Sequence, residues 1–205
     1  MAWKDLAPKT FASIRELNGI SQRTQEEHYE LYKGYVGKVN EIQKKLDTVD
    51  RSTANQIFSD LRSLRVDLSF AIGGVKNHEL FFDHLGGKGG AASGRLLQRI
   101  GQDYPSYDAW LADFKASGLV ARGWVWLAYD HDLDMLTTVV GDAQNTFPVW
   151  NATPILAMDV YEHAYWLDSG RARAKYIEAF FKNLNWDEVN RRFERGQKVL
   201  AAMNG

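Results

Sequence analysis

The sequence predicts an α+β fold, with two long helices in its first half and helices around a small three-stranded antiparallel sheet in its second. Three observations predict it. Apolar residues recur at three- and four-residue steps across residues 21–85, a glycine run interrupts the chain at 86–90, and three short runs of β-branched and aromatic residues lie beyond it.

Taken in order, residues 1–20 carry Pro8 and no sustained period, and read as an extended arm. Leu31, Tyr35, Val39 and Ile42 stripe a first helix from Ser21 to about Val49, with His28 on the same face. A second helical stretch, broken once, runs from about Thr53 to Leu85 with Ile57, Leu61, Leu64, Leu68, Ile72 and Val75 as its stripe, extended by His78, Phe81 and Phe82. Gly86-Gly87-Lys88-Gly89-Gly90 cannot sustain a helix, because glycine loses the most backbone entropy on ordering. The run reads as a linker and divides the chain into 1–88 and 89–205. Helices from about Ser93 to Ile100 and from near Pro105 follow. Gly123–Tyr129, Met135–Val140 and Pro154–Met158 then read as strands, with Asp130 to Asp134 turning the first pair. Helices at about 171–184 and 186–202 close the chain.

Composition bounds the chemistry. A chain of 205 residues, 45% hydrophobic, is long enough to bury a core. Its formal charge of −1 gives no global field for nucleic acid or an anionic membrane. With no cysteine, disulfides, thiolate metal sites and thiol catalysis are excluded together, so any metal site uses nitrogen and oxygen. The start shows no apolar stretch of signal-peptide length and no window approaches a membrane span, which places the protein in the cytoplasm.

There are five histidines, of which His28, His78 and His163 stand in apolar helical or strand-end surroundings; His84 and His131 read as surface residues. Asp159 leaves a buried strand, where an acid is expensive unless paired, hydrogen-bonded or metal-bound. With His163 four residues on, it forms either a structural Asp–His pair or part of a metal site. Three imidazoles and one carboxylate suit iron, manganese or zinc.

Four motifs carry a resemblance over nearly the whole chain: His28-Tyr29 with Lys33-Gly34-Tyr35-Val36 and Asn40; Asn77-His78 through Phe82; Gly123-Trp124-Val-Trp126-Leu127; and Asp159-Val-Tyr-Glu-His-Ala-Tyr165, followed by Arg173, Tyr176 and Asn185-Trp186. In this order they resemble the iron/manganese superoxide dismutase family. The resemblance implies an N-terminal helical hairpin followed by a C-terminal α/β domain. It implies His28 and His78 as metal ligands from the first, Asp159 and His163 from the second, and a solvent molecule as the fifth ligand. It further implies disproportionation of superoxide by one manganese or iron ion cycling between the +3 and +2 states.

The family tunes its metal with a glutamine that bonds this solvent. Here Gly74 stands four residues before His78, and Gln144 lies between the second and third strands, which resembles the manganese type and favours manganese slightly. Tyr35 resembles the family's gateway tyrosine, although it lies seven residues from His28 instead of eight, and Leu31 and Tyr32 stand where a further histidine is usual. Either a π-bulge present in relatives is missing from the first helix here, or Tyr35 is not the counterpart of that tyrosine. Trp124, Trp126, Tyr161, Tyr165, Trp166 and Arg173 are implied around the ligands and the subunit interface, Lys33 joining Arg173 in attracting the anion. Glu162 is implied to reach the ligand histidine of a second subunit, giving a homodimer or a dimer of dimers. Tyr161, Trp166 and Ser169 depart from the family's usual residues. The alternatives are a zinc enzyme using the same ligands and a non-catalytic metal-binding member of the fold.

Overall fold

The computed structural model describes residues 4–145 and 149–205, so the first three residues of the arm lie outside the described residues. Helix α1 (Gln22–Thr48) starts at Ser21, whose side chain accepts a hydrogen bond from the Thr24 N–H. Its buried stripe is Tyr32, Val36, Val39, Ile42 and Leu46; Leu31 and Tyr35 lie only half-buried beside it. α1 is α-helical throughout. Helix α2 (Asp60–His84) packs against it as the second arm of a hairpin, burying Leu68, Ala71 and Val75.

The sequence reading starts this second helix too early. Asn55 accepts from the Ile57 and Phe58 N–H groups and turns the chain, and Ser59 then caps α2 through the Arg62 N–H. Ile57 and Phe58 are 84% and 76% exposed, so neither belongs to the stripe.

The glycine run is a strap held against the second half. Gly87 and Gly89 donate from their backbone to the Asn183 and Leu184 carbonyls, at 2.9 and 3.1 Å. Gly89 has φ +63°, and a Cβ there would lie 2.5 Å from the Lys182 carbonyl oxygen, so only glycine fits.

Beyond it come α3 (Gly94–Asp103), α4 (Tyr107–Val120), β1 (Trp124–Asp130), β2 (Met135–Gly141) and β3 (Ala152–Asp159). A 3₁₀ turn (Glu162–Ala164), the short α5 (Trp166–Ser169), α6 (Arg173–Lys182) and α7 (Trp186–Met203) complete the chain. The sheet is antiparallel in the order β2-β1-β3. Its central strand is buried on both faces because α4 covers β1 while α2 and α7 cover β3, so its sequence runs apolar instead of alternating. Met158 of β3 seals against α4, its Cε 2.5 Å from where a Cβ on Gly118 would stand. Trp124 pairs with Asp159 at one end of the sheet, which fixes where the site forms.

His84 and His131 are not surface residues. His84 is fully buried, its Nδ1 accepting the Ala157 N–H at 3.2 Å, and His131 is buried with its Nε2 2.8 Å from Thr153 Oγ1. Burial, with the Arg192 charge adding to it, pushes His84 down to about 3. Below the ordinary histidine value of 6.5 the unfolded chain therefore takes up a proton that the folded chain refuses. Stability falls as pH drops through that window, by up to about 1.4 kcal/mol per pH unit for one such group, and this contribution is flat above it. Replacing His84 with Gln, which keeps an acceptor, should flatten the acid limb of a denaturation series run from neutral pH downward. An unchanged limb would show that His84 does not supply that slope.

Candidate metal centre

The centre forms where the hairpin meets the Trp124 end of the sheet. α1 supplies His28, α2 supplies His78, β3 ends on Asp159, and the 3₁₀ turn brings His163 back toward it. One ligand atom from each lies within 4.8 Å of the others. Asp159 Oδ2 stands 3.1 Å from His28 Nε2, 3.1 Å from His163 Nε2 and 3.6 Å from His78 Nε2.

Neighbouring groups set the orientation of these side chains. His78 Nδ1 is 2.6 Å from the Gly74 carbonyl oxygen, which can only accept, so Nδ1 carries the proton and Nε2 presents a lone pair. That Nε2 is buried without a hydrogen-bond partner among the described residues. An unpartnered buried acceptor is costly in a protein interior, and one facing a carboxylate and two further imidazoles fits a cation. The other Asp159 oxygen accepts from the Tyr161 N–H at 2.9 Å, and the Asp159 carbonyl accepts from the Tyr176 hydroxyl at 2.6 Å.

Electrostatics follow from burial and proximity. Burial lowers His28 and, with His28 as neighbour, pushes His78 down to about 3, so both imidazoles are neutral and able to ligate. Burial alone would raise Asp159, but the charge and hydrogen bond of His163 and the hydrogen bond of His28 hold it well below the usual carboxylate range. Burial opposes the charged form of His163, and the adjacent Asp159 carboxylate outweighs it, so His163 is raised.

The residues expected around the ligands are distributed as follows. Trp124 Nε1 donates to Gln144 Oε1 at 3.1 Å, Asn77 Nδ2 donates to the Gln144 carbonyl at 3.1 Å, and Gln144 Nε2 donates to the Tyr35 hydroxyl at 3.3 Å. The Tyr35 ring lies 5.3 Å from His78, and burial raises its phenol. Trp124 stands edge-on to His78 and stacks on Trp126, while Tyr161 stacks on His163 with centroids 5.2 Å apart. The Tyr161 hydroxyl reaches the Asp142 carbonyl.

Arg173 is not a free cation: it donates to the Ala121 carbonyl at 2.7 Å and to the Tyr165 hydroxyl at 3.2 Å, and Tyr165 stacks on Tyr176. Lys33 pairs with Glu30. Glu162 and Trp166 are exposed. Tyr32, which with Leu31 stands where a further histidine is usual, donates to Glu79 and accepts from the Lys9 N–H. The holds of Tyr176 on Asp159 and of Asn77 on the Gln144 backbone were not foreseen from sequence; the adjacent glycines Gly73 and Gly74 inside a helix were the available signal.

Residues 16–86 match the alpha-hairpin domain of the iron/manganese superoxide dismutases, and residues 92–192 match the C-terminal domain of the same family. The chain belongs to the iron/manganese superoxide dismutase family. A relative from Aquifex pyrophilus named superoxide dismutase [Fe] is 43% identical over 204 residues, covering 97% of this chain and 95% of its own. The corresponding protein of Aquifex aeolicus is 42% identical over the same shares. Superoxide dismutase [Mn] 2 of Haloferax volcanii is 34% identical over 183 residues, 88% of this chain and 90% of its own. The names of these superoxide dismutase relatives divide between the two metals and give no support to a manganese preference. No helix among the described residues is long and apolar enough to cross a membrane.

His163 is the only one of the three imidazoles with appreciable exposure, at 25% of its side chain, so it can be removed with little loss of core. His163→Ala should fold and lose bound metal on dialysis while wild type keeps one ion per chain, read by elemental analysis. Full retention would remove His163 from the ligand set.

Proposed function

We infer that this superoxide dismutase holds one iron or manganese ion between His28, His78, Asp159 and His163, and that Gln144 and Tyr35 govern the chemistry beside it. The observation that carries the reading is the buried Asp159 oxygen facing three imidazole nitrogens within 3.6 Å. When bound, the ion supplies one-electron exchange between its +3 and +2 states, oxidising one superoxide to dioxygen and reducing the next to hydrogen peroxide.

The chain's own residues make this exchange possible. Asp159 brings a negative charge into the interior, which raises the neighbouring His163 and would likewise favour a bound cation. The Tyr161 N–H holds that carboxylate from behind and the Tyr176 hydroxyl holds the Asp159 main-chain carbonyl, so the side chain is oriented before an ion would bind. Gln144 is held at its amide oxygen by Trp124 and at its backbone by Asn77, which leaves its NH₂ group to donate once to Tyr35 and once to solvent or substrate. Tyr35, with its phenol held protonated by burial, is a proton donor at the half-buried edge of the site.

The loop position of Gln144 leans toward manganese, and the names of the Aquifex relatives lean toward iron. Metal analysis of protein from its native host, with activity after reloading each ion, decides between them. Gln144→Ala should keep one metal per chain while kcat/KM for superoxide falls by about 10- to 100-fold, the usual scale for losing a group that orients a metal site. Unchanged kcat/KM would overturn the role given to Gln144.

We also propose that the molecule is a two-fold dimer, or a dimer of such dimers, joined through the turn that carries His163. Glu162 is exposed there, and Trp166 and Leu167 are 47% and 52% exposed, an acid flanked by apolar surface next to a ligand. Glu162→Ala should raise the dimer dissociation constant at least about tenfold in sedimentation equilibrium, as expected for truncating one side of a desolvated charge contact. Undiminished dimerisation would place the interface elsewhere. We retain the division of the chain between residues 88 and 89, inside the strap, and a cytoplasmic location, with which the absence of cysteine is consistent.

A further inference from the structure

Gly73 and Gly74 lie in the middle of α2, where each glycine costs about 1 kcal/mol relative to alanine. Both are there for steric reasons. A Cβ on Gly73 would stand 2.1 Å from the Gln144 carbonyl oxygen and 2.7 Å from its carbon. A Cβ on Gly74 would stand 2.5 Å from Tyr35 Cδ1 and 2.6 Å from Cγ. Neither obstacle is the free end of a flexible chain: one is backbone and the other is an aromatic ring root.

The neighbours of Gly73 along the same ridge of α2 also hold the β2–β3 loop. Ser69, Gly73 and Asn77 are spaced at four-residue steps and therefore share one helix face. Ser69 Oγ accepts from Asn145 Nδ2 at 2.8 Å, and Asn77 Nδ2 donates to the Gln144 carbonyl at 3.1 Å. Between them Gly73 contributes only the absence of a side chain, which lets the Gln144 backbone lie directly on the helix.

The Tyr35 contact explains why the amide must arrive from the loop. With α1 unbroken, His28 and Tyr35 are nearly two full turns apart and share a face, which sets the Tyr35 ring on Gly74. A glutamine at position 74 would need the space that ring occupies.

We propose that the Ser69–Gly73–Asn77 ridge is a saddle that sets the height of the Gln144 amide over the metal cage, with Gly73 as its positioning residue. The proposal rests on the role given to Gln144 above. Four variants of the full-length protein test it: Gly73→Ala, Asn77→Ala, Gln144→Ala, and Gly37→Ala as a control, because Gly37 is a helical glycine with nothing within 4 Å of its would-be Cβ. The Trp124 indole N–H resonance in metal-free protein reports the Gln144 contact without any metal chemistry. Metal content, midpoint potential and kcat/KM are then read on the loaded protein.

Gly73→Ala should shift the Trp124 resonance, keep one metal per chain, displace the midpoint potential in the same direction as Gln144→Ala, and lower kcat/KM about tenfold. Gly37→Ala should match wild type in all four. A Gly73→Ala protein with wild-type Trp124 resonance and potential overturns the saddle, whatever its melting temperature. If Gln144→Ala itself leaves the potential unmoved, the role of Gln144 fails, and the Trp124 resonance still judges the saddle. Should Gly73→Ala not fold, Asn77→Ala carries the same readouts, and wild-type values there overturn the proposal.

Discussion

A fully buried carboxylate is the constraint around which this molecule is built. Asp159 has no exposure, and an isolated charge in such a place would cost several kcal/mol. The structure meets that cost on every side: the Tyr161 N–H on one oxygen, His28 and His163 on the other, and the Tyr176 hydroxyl on the main-chain carbonyl. Two of the facing imidazoles come from the hairpin and one from the turn after β3. Satisfying a single acid therefore requires both halves of the chain to meet.

α2 is the element that makes this meeting rigid. One side of it packs on α1, another on β3 and α7, and its ridge receives the β2–β3 loop. His78, Asn77 and Gly74 thus serve the ligand cage, the glutamine and the tyrosine from two successive turns of one helix. Aromatic rings fill the remaining space: Trp124 and Tyr161 lie against the cage with their polar atoms on Gln144 and the Asp142 carbonyl, and Trp126 backs Trp124.

The ligands were legible in the sequence for a local reason and a distant one. Asp159 and His163 declare themselves by spacing at the exit of an apolar strand, whereas His28 and His78 depend on family order, because nothing local says that two helices will bring them to the same point. The helix stripe was read one residue off: Leu31 and Tyr35 share Val39 and Ile42 with the true stripe of Tyr32 and Val36, and three- and four-residue steps leave that choice open. Ile57 misled through composition, since Asn55 and Ser59 stop and restart the chain around it. His84 and His131 looked like surface residues because the β3 groups that hold them, the Ala157 N–H and the Thr153 hydroxyl, lie well away in sequence.

The lack of sulfhydryl groups bears on how the protein survives its own product. Hydrogen peroxide oxidises thiolates readily and thioethers more slowly. This chain offers it no thiolate, and the methionine beside the site-bearing end of β3, Met158, is sealed beneath the Gly118 surface of α4 with no exposure at all. Among the described residues the accessible sulfurs are those of Met135 and Met203, on the outer strand and the final helix turn, where a sulfoxide would meet solvent and leave the packing around Asp159 intact.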